Sequence, residues 1–259
     1  MSHHRLRAGR MSAVLVLAIA SGTAACGPAE ETGTTEKAAA TAKSSTATGA
    51  ATGPAAAPAN GVEKLPAAEV LRRARKATNG ARSLRIRGQV EDGTDKFTLD
   101  FRYEGKSKST GWFQQGRERV EITRIGKVVY LKGNDAFWKS MGGKGAMQLF
   151  SGKYLKTTSA TDGYKDLAAF TYRTAVLNEA VKSAGPWRTG KTGTVGGTPA
   201  VTLGTASTED EIHVATRGEP YVLALTSGPE NRIEYIDYGK PVTVQRPPAG
   251  SVVDANAFD

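Results

Sequence analysis

The chain is poor in the groups that most enzyme chemistry needs. Cys26 is its one cysteine in 259 residues, so no internal disulfide can form. Of three histidines, His3 and His4 stand at the extreme N-terminus, which leaves His213 for everything that follows. A Ser–His–acid triad or a His-based metal site would have to use it, and no second His or Cys is there to complete a ligand set. His213 lies between Ile212 and Val214 in an alternating stretch and reads as a strand residue on a wet face. The sequence has no GxSxG, no P-loop and no GxGxxG opening a helix. Gly190, Gly193, Gly196 and Gly197 fall within and between strand-like runs, away from a helix N-terminus that could hold phosphate. Glu209-Asp210-Glu211 reads as a solvated turn rather than as a glycosidase carboxylate pair. These absences argue against an enzyme, and neither a metal nor a cofactor is expected. No internal repeat is strong enough to indicate a duplication.

What is present begins with Arg5, Arg7 and Arg10, followed by the apolar run Met11 to Ala20. A basic start, about ten apolar residues and small residues after them describe a secretory signal peptide. The run is too short to span a bilayer, which takes ~20 residues. It ends at Ser21-Gly22-Thr23-Ala24-Ala25-Cys26-Gly27, which resembles a bacterial lipobox, with Thr23 where that pattern usually has Leu. An ordinary cut at a small-x-small site near Ala25 would leave Cys26 free and soluble. The position of the one cysteine favours the lipobox. The resemblance implies a diacylglycerol thioether on Cys26 and a mature N-terminus there. Two or more acyl chains make a stable anchor, each buried methylene contributing ~0.8 kcal/mol. The expected segments are 1–25 as lipoprotein signal peptide, 26–60 as lipidated N-terminus and tether, and 61–259 as the folded domain. The expected location is the extracytoplasmic face of the cell membrane.

From Gly27 to Asn60 the chain has twelve Ala, seven Thr, four Gly and three Pro, and no Val, Ile, Leu, Met or aromatic residue. Such a segment cannot bury enough apolar surface to offset its conformational entropy. As a flexible coil of ~5–6 Å × √n it would span about 30 Å on average. The full sequence carries a formal charge of +10, and the part from Gly61 onward +8, with acids interleaved throughout. That pattern excludes a nucleic-acid tract as the natural reading. Anionic headgroups or wall polymers are the electrostatic partners it would suit, and plain solubility explains it equally well.

Leu65 to Gly80 has Val70, Leu71, Ala74 and Ala77 at helical spacing, with Pro66 at the start and Gly80 as a left-handed stop. The period then changes to two. Leu84 to Val90 and Phe97 to Tyr103 alternate apolar and polar residues about a polar turn, as a hairpin with one dry face does. Further strands are expected at Gly111–Phe113, Arg119–Thr123 and Lys127–Lys132, joined as an antiparallel meander. Asn134 to Phe150 is apolar but jointed by Gly142, Gly143 and Gly145, which suits a lid, a covering loop or ordinary core filling. Leu167 to Ala184 returns to helical spacing. Strands follow at Trp187–Thr194, Ala200–Leu203, Glu211–Thr216, Tyr221–Thr226, Arg232–Tyr238 and Pro241–Val244.

Several patterns, taken in this order, resemble the exported actinobacterial lipoproteins of the LppX/LprG type, which are similar to the periplasmic carrier LolA. They are the tether, the helix before the first strand (AAEVLRRARKATNGARSLRIRGQV), Val128-Val129-Tyr130-Leu131 followed by Phe137-Trp138-Lys139, and the closing Tyr238 to Pro247. The resemblance covers roughly Leu65 to Val253, and Arg217-Gly218-Glu219-Pro220-Tyr221 departs from the family's strand-turn-strand. It implies an α+β fold, a strongly curved antiparallel β-sheet (half-barrel) with helices covering its concave face, leaving an apolar cavity for acyl chains. The implied function is a membrane-anchored lipoprotein that binds and carries a lipid or other hydrophobic ligand. Candidate lining residues are those of the apolar strand faces: Leu84, Ile86, Phe97, Leu99, Phe101, Val120, Ile122, Leu223 and Leu225. A packed core position is the plain alternative for each. The alternative function is a cell-envelope interaction or sensor module on the same scaffold without a ligand cavity.

Overall fold

The structure is a computed structural model, and it describes residues 57–92, 95–161, 164–183 and 186–258. The expected signal segment, Cys26 and the expected tether as far as residue 56 lie outside the described residues. The fold is α+β. Twelve strands form one sheet in the order β12-β6-β5-β4-β3-β2-β1-β11-β10-β9-β8-β7, open at β12 and β7 and therefore not closed into a barrel. The first meander is β1 (Ser83–Asp92), β2 (Asp95–Glu104), β3 (Lys108–Gln115), β4 (Glu118–Ile125), β5 (Val128–Gly133) and β6 (Tyr154–Thr158). The second is β7 (Trp187–Val195), β8 (Thr198–Thr205), β9 (Asp210–Ala215), β10 (Val222–Ser227) and β11 (Asn231–Ile236). Antiparallel pairing of β1 with β11, Ile86 opposite Tyr235, joins the two meanders. The short β12 (Val252–Asp254) runs parallel to β6 at the far edge, the one parallel pair in the sheet order.

Alternation makes the sheet two-faced. Along β1, Leu84 and Ile86 are buried while Arg85 and Arg87 are not, and β2 follows with Leu99, Phe101 and Tyr103 against Asp100 and Arg102. The registers place like with like: Ile86 is opposite Phe101, Phe101 opposite Gly111, Gly111 opposite Ile122, Ile122 opposite Leu131, and Leu131 opposite Leu155. A one-residue slip would turn all of these to solvent, so their burial fixes the register. Tight turns support it. Between β7 and β8 only Gly196 and Gly197 intervene, at φ 54° and 80°, the pair of positive values that a two-residue turn matched to strand twist requires.

Four α-helices accompany the sheet: α1 (Ala67–Gly80), α2 (Asp135–Phe150), α3 (Lys165–Ala169) and α4 (Arg173–Ser183). Helix α1 buries Ala67, Val70, Leu71, Ala74 and Thr78, one stripe at spacings of three and four. Gly80 ends it without the expected left-handed turn, because Ala81 takes the chain directly into extended backbone. The jointed segment is helical, but α2 breaks at Gly142 and at Gly143, which has φ 69° and ψ −159°. Asn134 caps it, its side chain accepting from the Phe137 N–H at 2.9 Å. The single helix expected from Leu167 is two, because Phe170 to Tyr172 form tighter turns, bonded to the carbonyls three residues back, and are tied to the sheet by Tyr103 and Arg124. The strand expected at Pro241–Val244 does not form, since its apolar residues find no partner strand. Strands β6 and β12 are additions that weak alternation had concealed. Among the described residues, no helix is long and apolar enough to cross a membrane.

Candidate functional site

The buried sheet face is graded from one end of its strands to the other. At one end a transverse row runs Leu84, Tyr103, Ser109, Arg124, Val129, Thr157 across β1 to β6. The next row is wholly apolar: Ile86, Phe101, Gly111, Ile122, Leu131, Leu155. Leu99, Phe113 and Val120 form a third. Beyond it Val90 and Phe97 are partly exposed.

An aromatic ladder climbs this gradient. Phe97 stacks on Phe113 at 5.8 Å between centroids, Phe113 on Phe170 at 4.9 Å, and Phe170 on Phe101 at 6.4 Å. Phe101 in turn lies 6.3 Å from Tyr103. Gly111 makes room for the Phe101 ring, because a Cβ there would come within 2.6 Å of Phe101 Cδ1 and 2.3 Å of the Asp100 carbonyl oxygen. Phe97, Phe113 and Phe170 are only partly buried, whereas Phe101 is fully so. Nearby, Trp138 of α2 packs on Phe137 and Phe150 at 5.0 and 4.8 Å.

Of the nine residues expected to line a cavity, Leu84, Ile86, Leu99, Phe101, Val120, Ile122 and Leu225 are buried, and Phe97 and Leu223 are half-buried. Seven lie together on β1, β2 and β4. Leu225 is on the second meander, opposite Ile233 and Ile212. Leu223 does not share its face, because the register of β10 shifts between Val222 and Ala224 and leaves it as the bulged residue. Val222 takes the inward place, opposite Val214. Two shallow, open grooves lie elsewhere. One, about 540 Å³, runs between α1 (Arg73, Lys76, Ala77) and Glu219-Pro220-Tyr221. The other, about 530 Å³, lies on the polar sheet face among Arg85, Asp100, Trp112, Arg232 and Glu234 and touches the expected lining only at Leu99. There the Arg119 guanidinium sits 3.8 Å over the Trp112 ring. Arg85 ion-pairs with Asp100, and Arg87 and Arg232 pair with Glu234.

His213 sits between two hydroxyls, Thr202 Oγ1 3.1 Å from Nδ1 and Thr226 Oγ1 3.1 Å from Nε2, with Glu211 at 3.5 Å. Burial pushes its pKa below the ordinary value. Both ring nitrogens are thus engaged by threonine hydroxyls of the neighbouring strands, which fixes the imidazole across β8, β9 and β10. Among the described residues no three His, Cys, Asp or Glu side chains gather as metal ligands would.

The polar end of the buried face holds what sequence reasoning passed over. Arg124, 4% exposed, occupies the inward phase set by Val120 and Ile122. It donates to the carbonyl oxygens of Lys106, Ser107, Gly126 and Thr171 at 3.0–3.1 Å, and its guanidinium stacks 4.2 Å from the Tyr172 ring. Tyr103 donates its hydroxyl to the Phe170 carbonyl oxygen at 2.6 Å. These bonds hold residues 170–171 on the sheet. Arg124 was legible in the alternation as a cation where an apolar residue belongs. Arg173, 6% exposed at the start of α4, gave no such signal.

No family model matches the chain, and no curated protein matches it either.

Proposed function

We propose that this protein is an exported lipoprotein, anchored through Cys26, that binds and carries a lipid or other hydrophobic ligand on the apolar face of its sheet. In this reading the sheet is a strongly curved half-barrel of the LolA kind, with α2 and the α3–α4 segment over its concave face. The observation that carries the reading is the aromatic ladder. It begins at half-buried Phe97, Phe113 and Phe170 and continues without interruption to fully buried Phe101. An acyl chain could replace side-chain contacts along that path without any catalytic group, its burial contributing ~0.8 kcal/mol per methylene. The inward rows are filled, so a ligand enters only if the facing segments part from the sheet. The break at Gly142 and Gly143 gives α2 a joint for that movement.

The test is mass spectrometry of organic extracts from the full-length protein purified from its own host. A stoichiometric lipid, lost from a Leu99→Trp variant, supports the carrier. A protein that yields no lipid overturns it. A second reading, an envelope interaction or sensor module without a ligand cavity, is favoured by the groove around Trp112. It is formed on the solvent face, and its charged walls are fixed by ion pairs.

A further inference from the structure

Arg124 and Arg173 bring two positive charges into the interior beside Tyr103, and no carboxylate of the described residues lies within ion-pair distance of either. Arginine does not escape burial by losing its proton, so the charge must be met by other means. Arg124 meets it with four main-chain carbonyls. Among the described residues Arg173 has one acceptor, the Ala81 carbonyl oxygen reached by Nη1, and its buried Nη2 has no partner. Among the described residues, the buried hydroxyls of Ser109, Thr157 and Tyr235 on the sheet are also without partners. Ser109 Oγ lies in register between Tyr103 and Arg124, and Tyr235 belongs to β11, opposite Ile86. Tyr103 lies among them: its hydroxyl and the Arg124 guanidinium bond the adjacent carbonyl oxygens of Phe170 and Thr171, just before Arg173, and Arg173 bonds Ala81, just before Leu84, the residue opposite Tyr103. An unpaired buried donor on a cation that no carboxylate neutralises is costly, and one ligand with negative oxygens would meet both deficits at Arg173.

We infer that this zone is an oxyanion-binding site centred on Arg173 Nη2, with Arg124 supplying field and Ser109 Oγ a further donor, and that it accepts a phosphate or carboxylate group. The group can belong to an amphiphile, whose chain would then run along the Phe170–Phe113 ladder, or to a free anion. The inference goes beyond the carrier reading and does not depend on it.

The test uses the full-length protein, wild type and Arg173→Gln, with three probes. Oleate and oleyl alcohol share a chain and differ in charge, and binding is read from tryptophan fluorescence. Inorganic phosphate is compared with chloride at equal ionic strength, by the thermal unfolding midpoint. Oleate binding about tenfold or more tighter than oleyl alcohol in the wild type, with the preference lost in R173Q, is the expected result for a headgroup. An unfolding midpoint raised by phosphate in the wild type alone is the expected result for a free anion. Equal binding of the two amphiphiles with no phosphate effect overturns the site and leaves the carrier reading standing. A phosphate effect with neither amphiphile bound supports the site and removes the carrier. A preference that survives R173Q overturns the assignment to Arg173. If R173Q does not fold, the wild-type comparisons decide whether the site exists. Arg173→Lys, which keeps the charge but not the second Nη, then tests the residue: weaker oleate binding supports it and unchanged binding overturns it.

Discussion

Replacing Phe101 with alanine tests whether the apolar face is filled or hollow. The side chain is fully buried, and its ring lies between Tyr103 and Phe170 and over Gly111. Gly111 has no side chain to move into the space left behind, and its backbone is fixed by pairing with both Phe101 and Ile122. Collapse around the cavity is therefore limited, and the loss should fall within the usual range for a buried phenylalanine, about 3–5 kcal/mol. In a fold of this size each kcal/mol moves the unfolding midpoint by ~2–4 °C, so a fall of roughly 6–20 °C is expected. Urea and thermal unfolding of the full-length wild type and variant measure it. A loss below about 1 kcal/mol would refute the reasoning, because it would mean that the ring already borders empty space.

Tyr103→Phe leaves the Phe170 carbonyl oxygen without its donor and should cost about 1–3 kcal/mol in urea unfolding; no loss would mean that the 2.6 Å bond does not hold the segment to the sheet. Cys26→Ser should release the protein from membranes in fractionation, and a variant that stays membrane-bound would refute the lipid anchor. For His213 the folded pKa lies below the unfolded value near 6.5, so the unfolded chain binds more protons as pH falls. Stability should thus decline as pH drops through about 6.5, and His213→Gln should flatten that decline; identical pH profiles of the unfolding midpoint would refute it. The same variant should retain any ligand binding, and its loss would return His213 to functional consideration.

The strands of the first meander were legible because each alternates cleanly and is bounded by polar turns. Leu84-Arg85-Ile86 and Leu99-Asp100-Phe101 state both the element and its inward face. Pro241-Val242-Thr243-Val244 has the same local signature and forms no strand, because a strand needs a neighbour and local sequence does not supply one. Leu223 was assigned inward by strict alternation, and one bulge in β10 passed that place to Val222. Helix α2 was obscured by three glycines, each costing roughly 1 kcal/mol of helix propensity. Packing of Phe137, Trp138 and Phe150 overrides that cost.

The sequence by itself determined helical and strand segments in which the strands have one dry face, since period is a local property. It also determined that one cysteine and three histidines are all the chain has, which is a matter of inventory. Only the tertiary structure decided that β1 pairs with β11 to make one twelve-stranded sheet, and that β12 returns to its far edge. It alone brought Arg124 and Arg173, 49 residues apart in sequence, into one buried zone around Tyr103. Such meetings depend on long-range pairing and on which charges the fold encloses, and neither is encoded in any local window of the chain.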